Sequence, residues 1–297
     1  MPLNFPEIWE KRVRLNLNKN AAATFLDGIT ELDVDVSTMG AGSAGETNVI
    51  HIPVSNFKPE VLINNTTYPI ALQDYDDNES IVKLDKYQTK VTTLTDDQII
   101  GSAYDRIDAA TKPHTVEINA KKYKKAIHAL APASNTVTTP VFETTGPDDG
   151  TGRKRACYAD LTRIKLALKD ATDPRVVLSS LHYNDLLLDR ANFGDKLVNY
   201  NRGEVAPYIA GLSIYTYGDN PLYDDTGNKK AFDSIKGATD KEATVFFDGD
   251  NVAKKTGITK QYFADAKSNP RAQSNELNYR HYFICVPVEI KLIGSLI

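Results

Sequence analysis

Cysteine is nearly missing: Cys157 and Cys285 are the only two in 297 residues. They lie far apart and outside any metal-ligand spacing, which argues against a disulfide framework or a zinc module. Two buried, reduced thiols are expected ahead of a bridge. No run approaches the ~20 continuous apolar residues that a membrane helix needs. The opening stretch, MPLNFPEIWEKRVRLN, is interrupted by charge too early for a secretory signal. No membrane partner is therefore expected, and synthesis and residence in a cytoplasm are. Basic excess is missing too. Thirty-five Lys and Arg against 39 Asp and Glu give a formal charge of -4. A dedicated nucleic-acid reader usually carries a positive surplus that displaces counterions from phosphate.

The motifs of catalysis are equally scarce. The five histidines, His51, His114, His128, His182 and His281, show no metal-ligand spacing and no HExxH. His182 follows an expected strand, where an α/β enzyme places a base, but no Gly-x-Ser-x-Gly elbow accompanies it. The loop Gly146–Arg155 is rich in Gly and Asp, yet no Gly is followed by Lys-Ser or Lys-Thr, so it fails the phosphate-loop pattern. Its Arg153, Lys154 and Arg155 form a local basic cluster, whose simplest reading is an exposed face. Acidic groups at Asp74–Glu79, Asp148–Asp149 and Asp224–Asp225 match no calcium loop, and adjacency on a turn does not make a hydrolytic pair. No catalytic, cofactor-binding or metal-binding residue is nominated, no cofactor is expected, and the chain is not expected to be an enzyme.

What is present is material for a large core: 41% hydrophobic and 25% charged residues, enough for one large domain or two interlocked ones. Pro6–Asp27 reads as a helix ended by Gly28, followed by a small-residue tether over Ser37–Thr47. Strands are expected at Asn48–Val54, Thr67–Leu72 and Ile81–Leu84. The last two flank the polar, acidic Gln73–Ser80, the solvated tip of a long hairpin too thin to stand alone. Thr95-Asp-Asp-Gln98 fits a capping box opening a helix through Ile107. Pro113 is expected to break or kink it before a second stretch, Thr115–Leu130, with Val116, Tyr123, Ile127 and Leu130 inward and Lys121, Lys122, Lys124 and Lys125 outward. After a loop-rich connector, Tyr158–Lys169 and Tyr183–Arg190 read as helices. Arg175–Ser179, Gly211–Tyr217, Ala243–Phe247 and Tyr279–Ile293 read as strands, the last bent at Pro287.

The order of these segments resembles the major capsid proteins of tailed double-stranded DNA bacteriophages with the Hong Kong 97-type fold. The residues carrying it are the helix around Trp9 and its tether into Thr47-Asn-Val-Ile-His-Ile-Pro53, the hairpin near Asp74–Glu79 and the helix after Thr95. They continue in Asp160-Leu-x-x-Ile-Lys-x-Ala-Leu168, Pro174-Arg-Val-Val-Leu-Ser179 and Gly203-Glu-Val-Ala-Pro-Tyr-Ile-Ala-Gly-Leu-Ser-Ile-Tyr215. Gln261–Pro270 and Tyr279-Arg-His-Tyr282 complete the set.

The resemblance implies an α+β fold with an N-terminal arm at 1–46 and an extended β-hairpin loop at 47–93. A peripheral domain with a spine helix would take 94–132 and 269–297, and an axial domain with a central sheet 133–268. It implies a structural protein forming hexamers and pentamers in an icosahedral virion shell around packaged DNA. Assembly would take place in the bacterial cytoplasm with separate scaffold and portal proteins and only non-specific contact with double-stranded DNA. Nothing in the sequence selects a partner for Lys83 or Lys86, so no covalent cross-link between subunits is expected. Two alternatives stay open: an encapsulin-like compartment of the same fold, and a surface protein that binds or processes carbohydrate.

Overall fold

The computed structural model describes residues 23–32, 49–54, 59–66, 68–70, 72–73, 78–95, 106–189, 198–199, 204–264 and 274–297. The expected helix before residue 23, the Ser37–Thr47 tether, the acidic tip at 74–77, the helix opening at 96–105 and the stretch 265–273 lie outside these residues. The chain divides into two units, residues 33–84 and residues 1–32 together with 85–297.

In the smaller unit, β1 (Val49–Val54) pairs antiparallel with β2 (Asn78–Lys83), from Val49 opposite Lys83 to Val54 opposite Asn78. The expected pairing of Thr67–Leu72 with Ile81–Leu84 around a tip at Gln73–Ser80 is not found: β2 pairs with β1 instead, and Asn78–Ser80, expected in the tip, are strand. Residues 68–70 and 72 are not strand. Pro69 offers no N–H to a ladder, and Asn64 sits at φ +55°, a conformation that ends extended chain. The Glu60 N–H instead donates to the Gln73 side chain at 2.9 Å.

The larger unit continues with β3 (Asp85–Gln88), β4 (Thr92–Thr95), helix α1 (Arg106–Leu130), β5 (Val141–Phe142), α2 (Tyr158–Ala167), β6 (Pro174–Leu178) and α3 (Ser180–Leu188). Short strands follow at β7 (Val198–Asn199), β8 (Glu204–Val205) and β9 (Tyr208–Ile209). The chain then forms β10 (Leu212–Thr216), β11 (Leu222–Tyr223), β12 (Lys241–Glu242), β13 (Thr244–Asp248), β14 (Val252–Ala264), β15 (Ser274–Pro287) and β16 (Ile293–Leu296). Six strands form one sheet in the order β5-β16-β13-β6-β10-β9, and β14, β15 and β3 form a second, with β4 pairing further along β15.

Period-two alternation divides the central sheet between two cores. Val176, Leu178 and Phe246 point to one face, where Leu161, Ile164 and Leu168 of the α2 segment and Leu186 of α3 cover them. Val177, Val245 and Phe247 point to the other, against Ile127 and Leu130 of α1. Each such side chain, fully buried, contributes about 2–3 kcal/mol of transfer free energy.

Helix α1 corrects two expectations. Thr95 is the last residue of β4, opposite Ser274, and the helix opening expected just beyond it lies outside the described residues. Pro113 lies inside the helix without ending it. Close by, the Thr115 hydroxyl donates to the Thr111 carbonyl at 3.1 Å, the back-bond to residue i−4 that a threonine makes inside a helix. Lys122 is buried and Val116 exposed, the reverse of the expected faces. The expected final strand also divides. Pro287 ends β15, and β16 returns to the central sheet beside β13. Pairing of β14 with β15 thus crosses the expected boundary at 268/269.

Part of the expected arm belongs to the body. Phe25, Leu26 and Ile29 are buried in the α1 core. The Arg175 guanidinium donates to the carbonyls of Phe25 at 2.8 Å and Asp27 at 2.6 Å, and Leu32 N–H donates to the Lys254 carbonyl. Gly28, at φ +77°, supplies the left-handed turn in this strap.

Candidate functional site

The residues that most invited a chemical reading are held in structural roles. Ser179 caps α3 by accepting from the His182 N–H, and the His182 ring shares a 2.8 Å hydrogen bond with the Thr244 hydroxyl of β13. Burial lowers its pKa to about 4, keeping the ring neutral and fixed. His128 meets the Lys230 carbonyl at 2.9 Å, and His114 the Thr92 hydroxyl at the same distance.

The Gly146–Arg155 loop has already spent the groups that a phosphate would need. Asp148 accepts from the N–H groups of Gly150 and Gly152, so the loop's own carboxylate occupies that backbone nest. Arg153 grips Asp185 through two 2.8 Å bonds and Asp149 through a third at 2.9 Å. The Thr151 hydroxyl and N–H, followed by Arg153, hold the Asp149 carboxyl down at about 2. Asp224 likewise accepts from Thr226 and Asn228 in its own turn. Among the described residues no three His, Cys, Asp or Glu side chains gather as metal ligands, and no helix is long and apolar enough to cross a membrane. Both thiols are buried and unpaired.

What the chain does present is surface. Val61, Leu62, Ile63, Tyr68, Ile70 and Leu72 are all exposed, Leu72 at 99%. Glu60 is the only charge between residues 59 and 73. Single exposed apolar residues are ordinary; six within twelve positions mark a contact surface. The sequence carried the sign in Val61-Leu-Ile63 and Tyr68-Pro-Ile-Ala-Leu72, but the expected strand hid it. On the larger unit, an open cleft of about 700 Å³ lies between the β3–β4 connection and α1, lined by Tyr87, Thr92, Pro113, His114 and Ile118. A second groove of about 650 Å³ exposes Val137 and Leu166 beside Phe142.

The spine that carries the first cleft is fastened at both flanks. Lys125 pairs with Asp85 of β3, while Lys121 and Lys124 both reach Asp233, at 2.6 and 2.7 Å. At its C-terminal end, the Lys229 ammonium donates to the carbonyls of His128 and Ala131, meeting the negative end of the helix. The Tyr223 hydroxyl then joins the Pro132 carbonyl to Ser295 of β16, tying the spine to the central sheet.

A family profile described as phage capsid protein matches residues 75–289, more than two thirds of the chain. The chain belongs to the phage capsid protein family. No curated protein matches its sequence. Solved structures agree on the fold. The capsid of an empty GTA particle aligns over 93% of this capsid protein and 90% of its own chain, at TM-score 0.64 and 11% identity. The head structure of Helicobacter pylori bacteriophage KHP40 covers 92% and 95%, at 0.62 and 8%. A virus-like particle from Pyrococcus furiosus covers 99% and 100%, at 0.58 and 10%. The α+β, Hong Kong 97-type fold expected from the sequence is thus the fold observed. The capsid protein is a structural component of a shell built from many like subunits, and its family role is not catalytic.

Proposed function

We propose that this capsid protein closes into an icosahedral phage head of hexamers and pentamers around packaged double-stranded DNA. The observation that carries the reading is the exposed apolar set from Val61 to Leu72. Such a surface, almost free of charge, is stabilised when a neighbouring copy covers it, and a contact repeated between identical subunits generates a closed assembly. In this reading the six-stranded sheet with α2 and α3 is the axial domain, α1 and the β14–β15 sheet are the peripheral domain, and residues 33–84 form the extended loop. The near-balanced charge lets copies pack without strong repulsion and leaves DNA contact non-specific. Assembly takes place in the host cytoplasm on a separate scaffold, with a separate portal.

Electron micrographs of the purified protein are expected to show closed shells or capsomers, and, when it is expressed with its phage's packaging proteins, nuclease-protected DNA. Discrete monomeric particles at high concentration would refute the shell. Shells loaded with an enzyme and never with DNA would replace the phage head with a cargo compartment.

A further inference from the structure

The seam between α1 and the four-stranded sheet has an unusual content. The face that α1 turns inward is polar over its first half, Thr111, Thr115, Asn119 and Lys122, and apolar over its second, Ala126, Ile127 and Leu130. Two ring contacts fix the register of the polar half. His114 packs on Tyr279 at 5.5 Å, and Tyr123 on Phe283 at 6.4 Å. From Tyr279 to Phe283 a strand advances about 13 Å, and from His114 to Tyr123 a helix advances about 13 Å. Helix and strand keep step, so Asn119 comes level with His281.

Tyr279, His281 and Phe283 share one face of β15 by alternation. The register sets Thr259 of β14 opposite His281 and Gln261 opposite Tyr279, on that same face. Thr259 engages His281 through Nδ1 at 2.9 Å. That leaves His281 Nε2 and both amide atoms of Asn119 and of Gln261 buried with no hydrogen-bond partner among the described residues. Asn119 is 3% exposed and His281 1%. Five polar atoms from three elements thus meet in one layer without bonding one another, where native proteins satisfy nearly every such atom.

We propose that this layer is a binding site for enclosed water, which bridges Asn119, Gln261 and His281. The chemistry selects the ligand. Two amides need a partner that both donates and accepts, which water does and a metal ion does not. The Lys122 ammonium one helical turn on, within 5.2 Å of the Phe283 ring, disfavours a cation. A bridging water with two to four polar partners is the usual occupant of a buried polar gap. Helix α1 then rests on a hydrated layer at its N-terminal half and a dry one at its C-terminal half.

A high-resolution density map of the purified protein, assembled or not, tests this directly. It is expected to show at least one solvent peak about 2.7–3.2 Å from two or more of these groups. A direct Asn119–Gln261 bond with no peak would overturn the site, as would a peak at metal-ligand distances of about 2.1 Å. Stability gives a second reading. Asn119→Leu is expected to lower the Tm by about 2 °C or more by stranding Gln261, and Asn119→Leu with Gln261→Leu to recover much of that loss. Simple additivity of the two losses would count against the shared water.

Discussion

The imidazole of His182 meets the Thr244 hydroxyl in the space between α3 and β13, sealed from solvent. Its consequence is electrostatic. Burial holds the pKa near 4, below the ordinary 6.5, so the folded chain refuses a proton that the unfolded chain accepts. Above about pH 6.5 both states are neutral and the contribution is complete. As the pH falls from 6.5 through 4 the unfolded chain binds more protons, and stability is lost, by about 3 kcal/mol for the full shift. Burial, and then Lys122, lowers His281 to about 3, which acts in the same direction. Denaturant midpoints of the unassembled subunit are expected to fall across this window. His182→Asn, which keeps a hydrogen-bonding amide toward Thr244, is expected to flatten part of the slope. An unchanged slope would mean that this ring stays neutral for another reason or titrates alike in both states.

At the scale of single elements, the β13–β16 pair shows how closely the central sheet is packed. Gly294 of β16 lies opposite Phe246, and a methyl group at that position would overlap the Phe246 ring. That ring already stacks on Phe142 at 5.9 Å, so it has little room to withdraw. Gly294→Ala is expected to cost about 2–3 kcal/mol by overpacking, measured as a lower urea midpoint with an unchanged m-value. Strands β6 and β13 of this sheet were legible in the sequence to within a residue or two. Val176–Leu178 and Thr244–Phe247 are short apolar runs bounded by turn-forming residues, and α2 and α3 have apolar positions at helical spacing. Pairing across distance was not legible. Alternation over Tyr279–Ile293 reads as one strand, and nothing local reveals that Pro287 ends one sheet and Ile293 enters another. Pro113 is a related case: as a local signal it allowed a break or a kink, and it lies inside one 25-residue helix.

For the whole molecule, a shell rests on contacts that a single copy does not complete, and such contacts are spread over a surface and carry no residue motif that a sequence displays. Ala23, Phe25, Leu26 and Ile29, expected in a free arm, are instead buried in the subunit's own core and are not open to a neighbour. The exposed set from Val61 to Leu72 is the strongest of the surfaces that are. Shell contacts are individually modest and repeated many times, so a small loss at each is multiplied over the assembly. Replacing Leu62, Ile63 and Leu72 together by Asp places three charges where a neighbour would have to bury them unpaired. These side chains lie on the surface and outside both cores, so the fold should lose less than about 1 kcal/mol. The expected outcome is a variant with the parent's circular dichroism and melting behaviour as a subunit, but with no closed particles in micrographs or sedimentation. Shells forming at parental yield would show that the apolar loop is not an assembly contact. A variant that loses both its subunit melting transition and its shells would show instead that these residues serve the subunit's own fold.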